Sequence, residues 1–571
     1  MLRLKIFNIG ITLIFLILGM GVFNLAFLNH PKYRELSKKN SIRLLPQEGM
    51  RGRIFDRNNK VLVDNKICYD VGILPQEVEN LDELLMRLAK LLDVDFQRLK
   101  NEFGNGYIAP FAPVTVLKNI DIKKAVRLEE LKLELGGVII QPKLQRYYPY
   151  KELASHLLGY LDEIDLWRLT RLESYGYKTK DIVGFGGVEE RYDYYLRHEE
   201  GGLSVEVDHR GRFKRVLGYK PPRNGKDIQL TIDLELQRIV ENNLKTKGCV
   251  IIMEPFTGEI LALASYPNFL PSLFFNKKNY LISSLFNNPD APLLNRAISG
   301  LYPAGSVFKL ILACCALQLD KLDIHKTFFC PGSVNIGRQK FSCWDTHETQ
   351  DLFLAIVHSC NIFFYRLGTL LGPNLIHEWA LKFGLSKPTG IDLPYERKGF
   401  VPSPILRRVY RFQNWFEGDT ANLSIGQGEL LVSPLQMLRM ISVFANRGFL
   451  VKPYIVKAID GRDISDYQKK IVPLGLKEKA LIYIQNALRS VVSNPEGTAH
   501  VLAELPVAVA GKTGTAQVEG KQSHSWFVGF FPFEKPRFAI CVFLENGGPG
   551  YYACLLARSI IEAMYNTGLL N

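Results

Sequence analysis

The sequence has only one long apolar run, no internal repeat and no low-complexity tract. These absences argue against a multi-spanning membrane protein, a solenoid and a chain dominated by disorder. An even cysteine count is missing too. Nine cysteines cannot all pair, so a thiol-oxidising compartment would leave at least one over. Basic residues are plentiful, with 71 Lys and Arg against 57 Asp and Glu and a formal net charge of +14. They are scattered, however, and no RNA- or DNA-binding motif accompanies them. Nucleic acid is therefore not the expected partner, and an anionic membrane surface or polymer fits better.

What is present begins with length. A chain of 571 residues exceeds one typical core and implies two or more domains. Residues 6–28 are uncharged and mostly apolar; as a helix they span roughly 35 Å, enough for a ~30 Å hydrocarbon core. A cleaved signal peptide is the alternative to a transmembrane anchor. The run is longer than a usual signal core and no small-x-small cleavage site follows it, which favours the anchor. Arg3 and Lys5 precede it, while Lys32, Arg34, Lys38, Lys39 and Arg43 follow, so local charge does not set the orientation.

From about residue 40 to 220, short β-rich runs alternate with amphipathic stretches such as residues 81–92. The turn-rich Pro221-Pro-Arg-Asn-Gly225 then precedes a strand-like run at 228–232, which places a domain boundary there. Strands are expected at 249–253, 260–264, 525–529 and 538–544, with helices between them at 375–383 and 434–445. Early strands closing on late strands around a helical middle predict an α+β domain.

Three motifs carry chemistry: Ser306-Val307-Phe308-Lys309, then Ser359-Cys360-Asn361, then Lys512-Thr513-Gly514-Thr515. A serine hydroxyl is a poor nucleophile at neutral pH and needs a base at hydrogen-bond distance and donors for the developing oxyanion. Residues three apart on a helix share a face. Lys309 therefore lies one turn from Ser306 if the apolar run 307–317 is a buried helix starting at Gly305. To accept a proton it must fall from ~10.4 toward ~7–8, which desolvation and a second cation, Lys512, would favour. Each motif alone is weak, and a lone Ser-x-x-Lys marks an ordinary helix face more often than a site. Their conjunction, in this order, is the pattern of serine acyl-enzymes that recognise penicillin.

On these residues the chain resembles the class B penicillin-binding proteins. The resemblance includes Arg51-Gly-Arg-Ile-Phe-Asp-Arg57, Arg146-Tyr-Tyr-Pro149, Gly186-Gly-Val-Glu189, and Leu294-Asn-Arg-Ala297 leading into Tyr302-Pro-Ala-Gly-Ser306. Gly418-Asp-Thr420, Gly426-Gln-Gly428 and Gly497-Thr-Ala-His500 most resemble the penicillin-binding protein 2 branch, the elongation-specific D,D-transpeptidases. Ala304, where many relatives carry a second proline, and Cys360, in the middle of the second motif, are departures that remove no catalytic group.

The resemblance implies a short cytoplasmic tail (1–5), a transmembrane helix (6–28) and an elongated pedestal or dimerisation-type domain (29–225). An α+β transpeptidase domain, an antiparallel sheet with a helical subdomain, would follow (226–571). It implies a single pass through a bacterial inner membrane with the catalytic domain in the periplasm. Ser306 would attack the penultimate D-alanine carbonyl of a peptidoglycan stem peptide, or a β-lactam. Lys309 would act as its base, Ser359 would relay a proton, and Asn361 would hold substrate amides and Lys309. Lys512, Thr513 and Thr515 would hold the donor carboxylate, the backbone N–H groups of Ser306 and Thr515 would form the oxyanion hole, and Gly514 would leave room for close approach. No organic cofactor is expected. Residues 29–225 lack the acidic cleft motifs of a glycan polymerase, so polymerisation falls to a partner, a SEDS-type glycosyltransferase among other elongation-complex proteins. The pedestal reads equally as a spacer or as a platform for such partners.

Cys330, Cys343, His347 and Cys360 stand apart from the other cysteines, which sit mostly in apolar runs. Three thiolates and an imidazole suit tetrahedral Zn²⁺, and some relatives in the branch carry a metal in this stretch. A structural zinc is the favoured reading, with Asp345 and Glu348 as alternative ligands; a disulfide or reduced thiols remain open. The other functions that share the three motifs are a division-specific transpeptidase, a β-lactamase or β-lactam sensor, and an idle scaffold.

Overall fold

The computed structural model describes residues 2–110, 112–207, 213–275 and 279–570. The side chains of Arg3, Lys38, Lys39 and Arg43 lie outside the described residues. The chain divides into two compact units. One comprises Met1–Arg51, Asn65–Gln145 and Arg197–Gly225, and the other Gly52–Asp64, Arg146–Leu196 and Lys226–Asn571.

The first unit contains the apolar segment as a helix over Leu2–Phe23 that closes in a π-type turn, Asn24–Leu28. Over Leu4–Leu28 the mean hydropathy is 2.4 and no part of the span is buried, as a helix crossing a membrane requires. Residues 81–92 form the expected amphipathic helix. Asn80 caps its first turn by accepting from the Glu83 N–H, and it stops at Asp93, whose φ is 56°. Its Leu84, Leu85, Leu88 and Leu92 stripe is buried in a core with Val71, Ile73, Val114 and Val116 from the neighbouring strands. Asp95 and Asp121 cap the next two helices, Phe96–Gly106 and Ile122–Glu130, in the same way. A separate antiparallel sheet joins Ile42–Gln47, Gly201–Val207 and Phe213–Lys220.

The second unit is built on a five-stranded antiparallel sheet in the spatial order Ile260–Tyr266, Gly248–Met253, Phe538–Leu544, Lys521–Phe531, Ala510–Val518. The Gly248–Met253 and Phe538–Leu544 strands are buried at every position. Both sheet faces are therefore covered there, which explains why these segments read as continuous apolar runs rather than alternating ones. Helices Leu234–Asn243, Pro434–Ala445 and Gly550–Asn566 pack against the sheet. Among the described residues, Ala510–Val518 pairs only with Lys521–Phe531 and so forms one edge.

Two ion pairs, one fully buried and one partly so, join distant parts of this unit. Arg146 Nε donates to Glu189 at 2.7 Å and its Nη1 to the Gly52 carbonyl at 2.7 Å. Arg296 donates to Glu545 at 2.8 Å and to the Asp290 and Ala291 carbonyls. The second pair ties the segment before Ser306 to the end of a central strand. Gly52 sits where a Cβ would lie 1.9 Å from the Lys226 carbonyl oxygen, so only glycine fits that crossing. The helical part that completes the unit includes Lys309–Gln318, Leu352–Val357, Asn361–Leu371, Glu417–Ser424 and Glu478–Ser493.

Candidate active site

Ser306 opens a tight turn rather than an α-helix. Gly305–Phe308 is 3₁₀, and the α-helix runs from Lys309 to Gln318. Residues three apart eclipse in a 3₁₀ turn, so Ser306 and Lys309 still share a face. The tightening has a visible cause. Gly305 has φ +59° and a Cβ there would lie 2.9 Å from the Thr515 carbonyl oxygen, while a Cβ at Gly426 would lie 2.2 Å from the Gly305 carbonyl oxygen. The Gly305 N–H donates to the Gly426 carbonyl at 2.9 Å. The turn is thus clamped between the Lys512–Thr515 strand and the Gly426–Gly428 loop. Ser306 is partly exposed, whereas Lys309 is completely buried, as are the apolar residues that follow it as far as Leu317.

Lys309 Nζ donates to the Ser359 carbonyl at 2.7 Å, to the Ser359 hydroxyl at 3.3 Å and to Asn361 Oδ1 at 2.7 Å. It also lies 5.4 Å from the centre of the Phe364 ring. Burial lowers its pKa to about 8, with the nearby Cys360 and Cys343 offsetting part of the fall. Ser359 has φ +55°, a left-handed conformation that costs a serine of order 1 kcal/mol or more. That conformation turns both its carbonyl and its hydroxyl toward one ammonium group. Asn361 is the first residue of the helix Asn361–Leu371 and Cys360 is its N-cap.

Lys512 is also fully buried, and its Nζ donates to the Thr513 carbonyl at 3.3 Å. Its pKa is lowered well below the usual lysine value, first by burial and then by the charge of Lys309. Gly514 passes so close to the serine turn that a Cβ would meet Val307 Cγ2 at 3.0 Å and the Ala304 carbonyl oxygen at 3.2 Å. Thr515 is exposed, accepts the Gly550 N–H at 3.0 Å, and its carbonyl is approached by Gln427 Nε2 at 3.5 Å. The three sequence motifs therefore line one site in the second unit.

Cys330, Cys343, His347 and Cys360 also converge, with ligand atoms all within 4.8 Å of one another. His347 Nδ1 lies 3.6 Å from Cys330 Sγ and 3.5 Å from Cys343 Sγ. Cys343 Sγ accepts the Asn361 backbone N–H at 3.2 Å. The Cys343 thiol is held far below the usual range, chiefly by its hydrogen bond with Cys360, and Cys360 is raised by the same bond. Neither Asp345 nor Glu348 joins the cluster; the Asp345 carboxylate accepts from the Thr346 N–H. All nine cysteines are free, and Cys68, Cys249, Cys314, Cys315, Cys541 and Cys554 are buried core residues.

Three features escaped the reading of the sequence: the left-handed Ser359, the clamp made by Gly426, and Thr498, whose hydroxyl lies 2.7 Å from that of Thr513. The glycines of Gly426-Gln-Gly428 and Gly497-Thr498 were the available signals, because glycine marks close backbone approach.

Comparison with known proteins agrees with this geometry. Residues 248–566 match the penicillin binding protein transpeptidase domain, and residues 46–230 match the penicillin-binding protein dimerisation domain. The chain belongs to the penicillin-binding proteins. It is 32% identical to the peptidoglycan D,D-transpeptidase MrdA of Acinetobacter baumannii, over 97% of this chain and 86% of that one. The structure of penicillin-binding protein 2 in complex with MreC from Helicobacter pylori superimposes with a TM-score of 0.81 at 27% identity, covering 92% of this chain and 99% of that one. A peptidoglycan synthase complex described as coordinating polymerisation and crosslinking matches with a TM-score of 0.75 at 27% identity, over 99% and 98% of the two chains. Within the penicillin-binding proteins, the chain falls in the peptidoglycan D,D-transpeptidase branch that these relatives define.

Gly426→Ala is expected to push the serine turn out of its clamp and to cost about 1–3 kcal/mol. Urea unfolding monitored by tryptophan fluorescence would measure the loss, and an unchanged midpoint would contradict the clamp.

Proposed function

We propose that this chain cross-links peptidoglycan stem peptides during cell elongation through an acyl-enzyme on Ser306. The observation that carries the reading is Lys309, a fully buried lysine that among the described residues bonds only to neutral oxygens and lies one 3₁₀ turn from a partly exposed serine. A lysine so placed is poised to be neutral near physiological pH.

Lys309 takes the Ser306 proton as Oγ attacks the penultimate D-alanine carbonyl. The backbone N–H groups of Ser306 and Thr515 hold the oxyanion. Collapse breaks the peptide bond, and the terminal D-alanine leaves with a proton relayed through Ser359. The amine of a neighbouring stem then attacks the ester, gives up a proton and returns Ser306 to its hydroxyl form. Asn361 holds the substrate amide and Lys309, while Lys512, Thr513 and Thr515 hold the donor carboxylate. An extended stem peptide can add along the free edge of the Ala510–Val518 strand, and a β-lactam would occupy the same place. The domain limits proposed from sequence, with catalysis in 226–571, accommodate these roles.

The apolar N-terminal helix would anchor the chain in the inner membrane with the second unit in the periplasm. Glycan polymerisation would come from a membrane-embedded glycosyltransferase of the elongation complex, as the likeness to a synthase complex and to an MreC-bound relative supports.

Cys330, Cys343, His347 and Cys360 fit a structural zinc. Ligands at usual Zn–S and Zn–N lengths form a tetrahedron whose S···N edges are about 3.6 Å, against 3.5 and 3.6 Å here. His347 Nδ1 faces the sulfurs of Cys330 and Cys343. When bound, the metal would cross-link the hairpin of Ser333–Ile336 and Gln339–Ser342, which lies between Cys330 and Cys343, to the Ser359–Asn361 loop, and Cys360 would then hold Ser359 and Asn361 in place.

Incubated with a fluorescent penicillin, the wild-type protein is expected to carry stable label and Ser306→Ala none. Unlabelled wild type would overturn the acyl-enzyme, and label lost within seconds would favour a β-lactamase. Protein purified without chelator should contain about one zinc per chain, and Cys343→Ala should lose it and slow acylation about tenfold. Metal-free wild type acylating at full rate would exclude the zinc.

A further inference from the structure

Thr498 is the first residue after Gly497 in a turn that follows the helix Glu478–Ser493. The turn is closely determined. The Ala499 N–H donates to the Val491 carbonyl at 3.1 Å, and the Gly497 N–H to Asn494 at 2.8 Å. A Cβ on Gly497 would lie 2.3 Å from the Val491 carbonyl oxygen. Two contacts leave the turn toward opposite walls of the active site. The Thr498 N–H approaches the Val357 carbonyl at 3.5 Å, just before the Ser359 loop, and the Thr513 hydroxyl donates to the Thr498 hydroxyl at 2.7 Å, a direction that rotation of the two hydroxyls can reverse. Among the described residues, the Thr513 hydroxyl has Thr498 as its only hydrogen-bond partner.

We propose that Thr498 is a positioning residue for substrate recognition, fixing the Thr513 hydroxyl as a donor to the carboxylate of the donor peptide or β-lactam. The inference rests on the reading of Thr513 as a carboxylate-binding residue. A carboxylate only accepts hydrogen bonds, whereas each threonine hydroxyl carries one hydrogen and accepting lone pairs. When the anion enters, the Thr513 hydrogen must point at it. Thr513 Oγ1 is then left as an acceptor, and the Thr498 hydroxyl, 2.7 Å away on a rigid turn, donates to it. The chain Thr498 to Thr513 to carboxylate has each donor matched to one acceptor, and such chains strengthen each member. Val357, His358 and Ser359 are consecutive, so the same turn sets the spacing between the carboxylate subsite and the loop that holds Lys309.

The test measures the pre-acylation dissociation constant and the acylation rate constant of a fluorescent penicillin on the full-length, detergent-solubilised protein. The variants are Thr498→Val, Thr498→Ser, Thr513→Val and the Val/Val double. Thr498→Val should weaken pre-acylation binding about five- to tenfold, the range of one hydrogen bond. The rate constant should stay within about twofold and the melting temperature should not change. Thr498→Ser should restore wild-type binding, and the double variant should match Thr513→Val alone, because the two hydroxyls act in series. The proposal is overturned if Thr498→Val binds like wild type while Thr513→Val is impaired, if the two effects multiply, or if Thr498→Ser is as weak as Thr498→Val. A Thr513→Val variant that binds normally would instead overturn the underlying role of Thr513, and the inference with it.

Discussion

An ammonium group removed from water must be compensated by an opposite charge or give up its proton, and Lys309 has no carboxylate bonded to it among the described residues. Its acceptors are a carbonyl, a hydroxyl and an amide oxygen. Three neutral acceptors orient the nitrogen without supplying the charge that would keep it protonated. The left-handed backbone of Ser359 and the placement of Asn361 at the first turn of its helix both follow from delivering those oxygens to one point. The second lysine, Lys512, is as deeply buried, and burial and the Lys309 charge lower its pKa too, so the pocket disfavours two full positive charges. A substrate carboxylate arriving beside Lys512 would relieve that strain, which couples binding of the anion to the protonation of the site.

The rest of the second unit keeps these groups in register. The sheet presents Lys512–Thr515 on an edge strand, and the serine turn packs closely between that strand, at Gly305 and Gly514, and the Gly426 loop. The Cys330–Cys360 cluster reaches the opposite wall, where Cys343 accepts the Asn361 N–H. The turn at Thr498 touches both walls. The site is thus held from the sheet, the hairpin and the helical part together, and a small displacement of any one moves a group that contacts Lys309 or Thr513.

Much of this was legible in the sequence, for identifiable reasons. The 81–92 helix carries a leucine stripe at helical spacing, and the 538–544 strand is a short β-branched and aromatic run, so local pattern suffices for each. The three motifs pointed to one place because a serine nucleophile needs a base and oxyanion donors close by, and the cysteine–histidine cluster stood out against cysteines lodged in apolar runs. The 3₁₀ start of the serine helix was not legible. Where every position is buried, periodicity does not distinguish a 3₁₀ turn from an α-helix, and the tightening comes from Gly426 and Thr515, more than a hundred residues away. The left-handed Ser359 and the Thr498–Thr513 bond are likewise products of tertiary packing; Ser359 has no local signature, and Thr498 has only the neighbouring Gly497.

The most direct test of the buried-lysine constraint is the pH dependence of the acylation rate with a fluorescent penicillin between about pH 6 and 10. Lys309 must be neutral to accept the Ser306 proton, and burial sets its midpoint at about 8. The rate should climb about tenfold per pH unit at the acid end and level off above that midpoint. A rate flat across the range, or one still rising past pH 10 as for a solvated lysine, would show that Lys309 is not the depressed base on which the site depends.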